Sequence, residues 1–421
     1  MSPILALLLQ TIVIVTAARA LGAAFRRLGQ PAVVGEMVAG LLLGPSLFGA
    51  IAPGASKFLF PPASLDLLNA FSQFGLVLFM LLVGMHLDSG LLRTNRRLVL
   101  ATSYTSMLLP FALGVLLAFP LSRQFAVAES ARLPFVLFVG LSLSITAFPV
   151  LVRIVDAHHL SGTPLGTVAI ACAAFDDVTA WIAIALVTSL VQPSGAPWAA
   201  SLLWLAAYGV VMLVIVRPAL RRVLRRIPHG DGRLTVVLMA ALASAAATEW
   251  LGIHPLFGSF FLGALIARDV GDKAFYVERI EPLTMTLFLP LFFAFTGLRT
   301  NVYLLTSPWL VVETVIILAA AIFGKAAGPM IVGPRMGFAR RDAMALAALL
   351  NTRGLVELVV LNIGLESGLL PPPLFAMLML MALITTAMTS PLLRLLGYPS
   401  GNAVRGAEVR NRERTGSALH N

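Results

Sequence analysis

Long apolar runs, separated by short basic or Gly/Pro-rich loops, set the pattern of this chain. Thirteen of them fall near 3–23, 31–51, 67–87, 98–120, 133–155, 163–190, 198–216, 234–250, 253–268, 283–298, 305–334, 342–364 and 373–395. They approach or exceed the roughly 17–25 residues that cross a bilayer as helix; those at 253–268 and 283–298 are the short ones. Hydrocarbon offers backbone amides no partner, so each run must satisfy its own hydrogen bonds as helix. The expected fold is therefore an all-α polytopic membrane protein of about 13 transmembrane helices. It fills residues 1–396, followed by a short cytoplasmic tail, 397–421, too small and too rich in Gly, Arg and Asn to bury a core.

Two runs are interrupted by polar residues at mid-membrane. The fifth reads LSLSITAFPVLVRI (141–154), with Ser142, Ser144, Thr146 and Pro149; the twelfth reads LLNTRGLVELVVL (349–361), with Asn351, Thr352, Arg353, Gly354 and Glu357. Seven spans separate them, an odd number, so they cross the membrane in opposite directions. Inverted repeats with two broken helices have that relation.

Composition agrees with the pattern: 59% of the 421 residues are hydrophobic, only 12% are charged, and the mean hydropathy is +0.93. An excess of 30 Lys and Arg over 19 acids could suggest nucleic acid, but its placement points elsewhere. Alternate loops and the tail hold 24 of the bases, among them Arg26, Arg96, Arg153, Arg221, Arg268 and Arg340, while the other loops hold only Lys57, Arg123, Arg132 and Arg299. The positive-inside bias puts the first set in the cytoplasm, with the N-terminus outside and the C-terminus cytoplasmic. The first run lacks a basic n-region and reads as a retained helix, not a signal peptide. The lone Cys172 has no internal disulfide partner.

Eight ionisable residues fall within spans: Glu36, Asp176, Asp177, Glu249, Glu313, Lys325, Arg353 and Glu357. Each costs at least about 2.5–3.5 kcal/mol on insertion scales, so each calls for a reason. Asp176 and Asp177, in AAFDDVTAWIAIAL, lie roughly 20 Å from the cytoplasmic start of their span at about 1.5 Å per residue. Lys325, in AAIFGKAAGPM, lies roughly 15 Å in by the same rise, close enough to meet them. Adjacent helix positions diverge by about 100°, so the two aspartates divide their roles. One pairs with Lys325; the other faces an aqueous cavity, where it can exchange a proton for a hard monovalent cation. Thr146 and carbonyls freed near Pro149 supply further oxygen ligands.

Blander readings exist for each. The Asp/Lys pair could be a buried tie alone, which leaves the second Asp unexplained. Glu36 and Glu249 suit snorkelling or capping near span ends, and His254 a loop-end hydrogen bond. Arg353 and Glu357, at i and i+4, suit mutual neutralisation, with Arg353 also placed at the dipole end of a broken helix.

These segments resemble the second cation/proton antiporter superfamily, which includes Kef-type, plant CHX-type and yeast Kha-type exchangers and bacterial sodium/proton antiporters. The likeness runs through GQPAVVGEMVAGLLLGPSLFG, GLVLFMLLVGMHLD, SLSITAFPVLVRI, AAFDDVTAWI, GIHPLFGSFFLGALI, LPLFFAFTGLRTNV and NTRGLVELVVLNIGL. It implies a dimer whose protomers each carry a scaffold and a core domain, with two crossing broken helices and an elevator motion of the core. It also implies that Asp177 is the carrier position and Asp176 its variable neighbour. CHX-type members usually place Asn before that Asp, and Kef-type members Gln. Asp176 with Lys325 is instead similar to the electrogenic sodium/proton exchangers. The expected function is monovalent cation:proton antiport, Na+ or K+ for H+, by alternating access, in the cell inner (plasma) membrane. No cofactor, permanent metal or nucleic acid is implied. The alternative is a sodium-coupled solute symporter or channel on the same fold; an aspartyl protease would need its two Asp on separate helices.

Overall fold

A computed structural model describes residues 2–86, 96–190, 198–228, 230–252, 254–267 and 273–399. Nearly all of the tail expected at 397–421 lies outside them. The first half contains α1 (Pro3–Arg27), α2 (Ala32–Leu43), α3 (Phe48–Ile51), α4 (Pro53–Leu59), α5 (Pro62–His86), α6 (Arg96–Gln124), α7 (Glu129–Ser144), α8 (Phe148–Ala157) and α9 (Pro164–Ser189). A middle segment, α10 (Trp198–Val211) and the basic α11 (Arg217–Arg226), leads to α12 (Asp231–Trp250), α13 (Pro255–Ile266), α14 (Lys273–Leu283) and α15 (Leu289–Arg299). The chain ends in α16 (Pro308–Arg335), α17 (Arg340–Leu350), α18 (Leu355–Glu366) and α19 (Pro372–Leu395).

Among the described residues, eleven helical segments are long and apolar enough to cross a bilayer, α7 with α8 counting as one. A twelfth is the pair α17 and α18, bent by 41°. The apolar α13 has only 12 residues, and it falls in one of the two runs that the sequence marks as short. Each expected run thus coincides with one helical segment, although α13 by itself is below spanning length. The other short run is not short: it continues through α14, a π-turn at Thr284–Phe288 and α15.

The helices sort into two bundles by their packing. One contains α6, α7, α8, α9, α16, α17, α18 and α19; the other contains α1, α2, α5, α12, α13, α14 and α15. Packing within them is paired across the halves. Where α1 packs on α2, α12 packs on α13; where α15 crosses α2, α5 crosses α13; where α6 packs on α7, α16 packs on α17.

Glycines make that repeat explicit at residue level. A Cβ on Gly35 would strike the Leu21 carbonyl oxygen at 2.5 Å, and one on Gly258 the Ser244 oxygen at 2.2 Å. Gly40 meets the Phe293 oxygen and Gly297 the Gly40 oxygen, as Gly263 meets the Leu81 oxygen and Gly84 the Phe260 oxygen. Such backbone approaches exclude any side chain, so these crossings fix how each half assembles.

Both breaks lie in the first bundle. Pro149, the second residue of α8, has no N–H and leaves the Ile145 carbonyl outside any helical ladder. The chain from Ile145 to Ala147 is extended and crosses its counterpart, where the Ala147 amide donates to the Thr352 carbonyl at 2.9 Å. A Cβ on Gly354 would approach Val150 Cγ2 to 2.6 Å. The crossover closes this tightly only around a glycine.

Candidate functional site

At the crossover, α9 and α16 bring their charges to the two breaks. Lys325 Nζ donates to Thr146 Oγ1 at 2.6 Å and to Asp176 Oδ2 at 3.3 Å. The Thr146 hydroxyl is also 2.8 Å from Asp176 Oδ2 and 3.1 Å from the Leu350 carbonyl, the last residue of α17. One threonine therefore ties the first break, the second break and the Asp176/Lys325 ion pair. Asp176, Lys325 and Thr146 are all fully buried.

Asp177 is placed differently. Its side chain is fully buried, yet neither carboxylate oxygen has a hydrogen-bond partner in the structure. The backbone N–H of Phe148, first residue of α8, is the donor directed at it, short of a full hydrogen bond, as suits a helix N-terminus with its partial positive charge. Of what the 100° offset led to expect, the pairing is seen, Asp176 being ion-paired to Lys325 and Asp177 not; the aqueous face expected for the second carboxylate is not, because α9 buries Asp177 completely. Pro149 sits beneath, in the wall of a cavity.

That cavity, about 340 Å³, lies between the two bundles where α5 and α8 end, on the side whose loops carry most of the arginines, here called the arginine-rich face; Phe148, Pro149, Arg153, Asp156, His86 and Glu281 are among its lining. Asp177 is not part of its wall. Phe148 belongs to that wall, and its backbone amide is the group that acts on the Asp177 carboxylate.

Arg353 and Glu357 form their own buried ion pair at 3.0 Å. The Arg353 guanidinium also donates to the Ser142 carbonyl at 2.7 Å and to the Leu143 carbonyl, at the C-terminal end of α7. A cation there offsets the partial negative charge of an interrupted helix end. Both the neutralising and the dipole-end placement expected for Arg353 are observed together.

The remaining candidates separate. Glu36 is buried, with Arg153, Arg19 and Arg26 as the positive charges acting on it, so it does not snorkel as expected. Its helix packs so closely on α1 at Gly35 that the side chain is held within the bundle. Glu249 is exposed at the end of α12, and Glu313 accepts from Gln124 Nε2 at 3.1 Å. His254 Nδ1 is buried and has no hydrogen-bond partner among the described residues.

Sequence reading missed the joints between bundles on the opposite face. There Asn362 Nδ2 of α18 donates to Thr296 Oγ1 of α15 at 2.8 Å, and Arg299 of α15 pairs with Glu366 of α18 at 2.6 Å. A lone Asn inside the apolar run VVLNIGL was the available signal.

Comparison with known proteins converges on one family. Residues 12–395 match the family model described as sodium/hydrogen exchanger, transmembrane. The chain is 38% identical over 395 residues to a Synechocystis protein named Na(+)/H(+) antiporter NhaS4, covering 92% of this chain and 96% of that one. It is 37% identical to cation/H(+) antiporter 17 of Arabidopsis thaliana, over 96% of this chain and 50% of the relative. It is 32% identical to K(+)/H(+) antiporter 1 of Saccharomyces cerevisiae, over 94% and 47%. The chain thus spans about half the length of the plant and yeast relatives and almost all of the cyanobacterial one. In structure it resembles the Methanocaldococcus jannaschii sodium proton antiporter MjNhaP1, with a TM-score of 0.68 at 14% identity, covering 93% of this chain and 97% of that one.

Proposed function

The chain belongs to the sodium/hydrogen exchanger transmembrane family, and from that premise we propose that it exchanges a monovalent cation, Na+ or K+, for protons. The observation that carries the reading is Asp177: a fully buried carboxylate with both oxygens unpaired, one residue from a partner already neutralised by Lys325. An unpaired charge in a low-dielectric interior is costly, so the group holds either a proton or a cation, one at a time. Thr146 and the carbonyls between Ile145 and Ala147 would supply the supplementary oxygens. Pro149 keeps the ladder open there, and Arg353 with Glu357 steadies the break electrostatically.

Alternating access then follows from two bundles that meet at few places. The positive-inside bias assigns the arginine-rich face to the cytoplasm, with the N-terminus outside and the cavity beneath Phe148 as the inward route to Asp177. The first bundle moves as the core against the second, elevator fashion, in a homodimer in the inner membrane. Lys325 held against Asp176 is a second titrating unit, which makes exchange electrogenic.

The test is proton flux in proteoliposomes, read with a pH dye while Li+, Na+, K+ and Rb+ are added in turn. Cation-dependent proton movement, abolished in Asp177→Asn, is the expected result. Near wild-type exchange by Asp177→Asn at saturating cation overturns the site. Organic-solute uptake driven by sodium, without cation-driven proton flux, would favour a symporter.

A further inference from the structure

We propose that His86 and Asp156 form the contact that closes the arginine-rich face when the opposite face opens. This rests on the alternating-access reading and names the residues that would carry it.

The repeat makes the correspondence. Gly84 and Gly297 occupy equivalent places, each wedged against the backbone of the partner half's crossing helix. The residue before each glycine is Val83 or Thr296, and the second residue after it is His86 or Arg299. Thr146 and Thr352 are equivalent likewise, each the second residue beyond the end of α7 or α17. The tenth residue after each is Asp156 or Asn362. So α8 and α5 on the arginine-rich face repeat what α18 and α15 do on the other.

The two joints are in different states. On the opposite face α18 is seated on α15: Asn362 bonds Thr296 at 2.8 Å, and Arg299 pairs with Glu366 at 2.6 Å. On the arginine-rich face the equivalent residues Val83, His86 and Asp156 all line the 340 Å³ cavity. His86 and Asp156 are exposed and satisfied locally. The His86 Nδ1 position is 2.7 Å from the Leu82 carbonyl of its own turn, and Asp156 accepts from Ser161.

A conformation in which the halves exchange states would seat α8 on α5 as α18 now sits on α15. Asp156 would then approach the turn of α5 that carries Val83 and His86. Valine cannot reproduce the hydroxyl that Thr296 offers Asn362, so the carboxylate needs another donor, and His86 is the one that turn presents. Two other charged groups face the same space: Arg153, already donating to Met285 Sδ at 2.8 Å, and Glu281, whose charge opposes Asp156 instead of binding it. By the same logic the Asn362–Thr296 and Arg299–Glu366 contacts must part in that conformation.

The experiment uses the full chain with Cys172→Ser, His86→Cys and Asp156→Cys, reconstituted and oxidised with copper phenanthroline during turnover. A disulfide requires Cα atoms within about 7 Å, so it forms only if the two helices meet. The expected result is cross-linking, a tenfold or greater loss of exchange, and recovery on reduction. Failure to cross-link under an imposed cation gradient, or exchange at the reduced rate after cross-linking, overturns the proposal. A second measurement does not depend on transport: maleimide labelling of Val152→Cys, in the same cavity, should accelerate at least twofold when His86→Ala is added. An unchanged labelling rate overturns it as well. If the cross-link forms and labelling responds while the unmodified chain moves no protons, the gate stands and the antiport reading falls.

Discussion

Replacing Lys325 by Gln separates a charge that takes part in exchange from a strut. The ammonium is fully buried and is the only cation within hydrogen-bond reach of Asp176 among the described residues, donating to its carboxylate at 3.3 Å and to Thr146 at 2.6 Å. Removing it leaves a buried carboxylate uncompensated, a loss of about 3–5 kcal/mol for a broken buried pair. Adding Asp176→Asn removes the orphaned charge, and much of that loss should return. Both readings share this stability result, so the decisive assay is electrical. An imposed potential of about 100 mV changes the energy of one net charge by about 2.3 kcal/mol, about fiftyfold in the equilibrium cation ratio. In proteoliposomes clamped with potassium and valinomycin, using a cation other than potassium, wild-type exchange should shift with the sign of the potential. Residual exchange in Lys325→Gln should ignore it, because its second titrating unit is gone. Voltage dependence retained in that variant, or wild-type rates indifferent to potential, would refute the electrogenic account.

Thr146→Val should lower exchange by at least tenfold while the protein still reaches the membrane, since it removes the hydroxyl shared by Lys325, Asp176 and the Leu350 carbonyl; initial rates of proton flux check this. Gly354→Val should destabilise the crossover by about 1–3 kcal/mol through overpacking against Val150, read as a lower unfolding temperature in detergent. At the end of α8, burial pushes the His158 imidazole below its usual range, while its ring bonds the Tyr398 carbonyl and the Ser390 hydroxyl. A histidine lowered in the folded state contributes stability above its unfolded value that is lost as pH falls through it. Thermal stability should therefore drop on acidification below about 6.5, and His158→Gln should flatten that drop.

Much of this architecture was legible in the sequence because lipid leaves so few options. A run of apolar residues can only be helix, and Arg353, Lys325 and the two aspartates announce themselves by cost alone. The 100° offset of Asp176 and Asp177 carried into three dimensions because it is a property of a single helix, whereas Arg353 lies in the break before α18 and reaches Glu357 from outside that helix, although the i, i+4 spacing had suggested one helix face. What the sequence did not reveal depends on approach between helices. Thr146 was chosen as an oxygen ligand, but its position between Lys325, Asp176 and Leu350 is set by how the breaks cross. Glu36 looked like a snorkelling residue because span ends are wet, yet Gly35 draws its helix against α1 and buries it. The joint of Asn362 with Thr296 joins residues far apart in the chain, and neither stands out beside charged neighbours.

Exchange in this protein turns on one carboxylate that holds a cation or a proton but never both. Cation-driven proton flux measured over a series of pH values tests this directly. Competition at Asp177 predicts that each tenfold rise in proton concentration raises the apparent KM for cation by up to about tenfold, at an unchanged maximal rate, where the protonated form dominates. An apparent KM independent of pH would contradict it, and would assign protons and cations to separate sites.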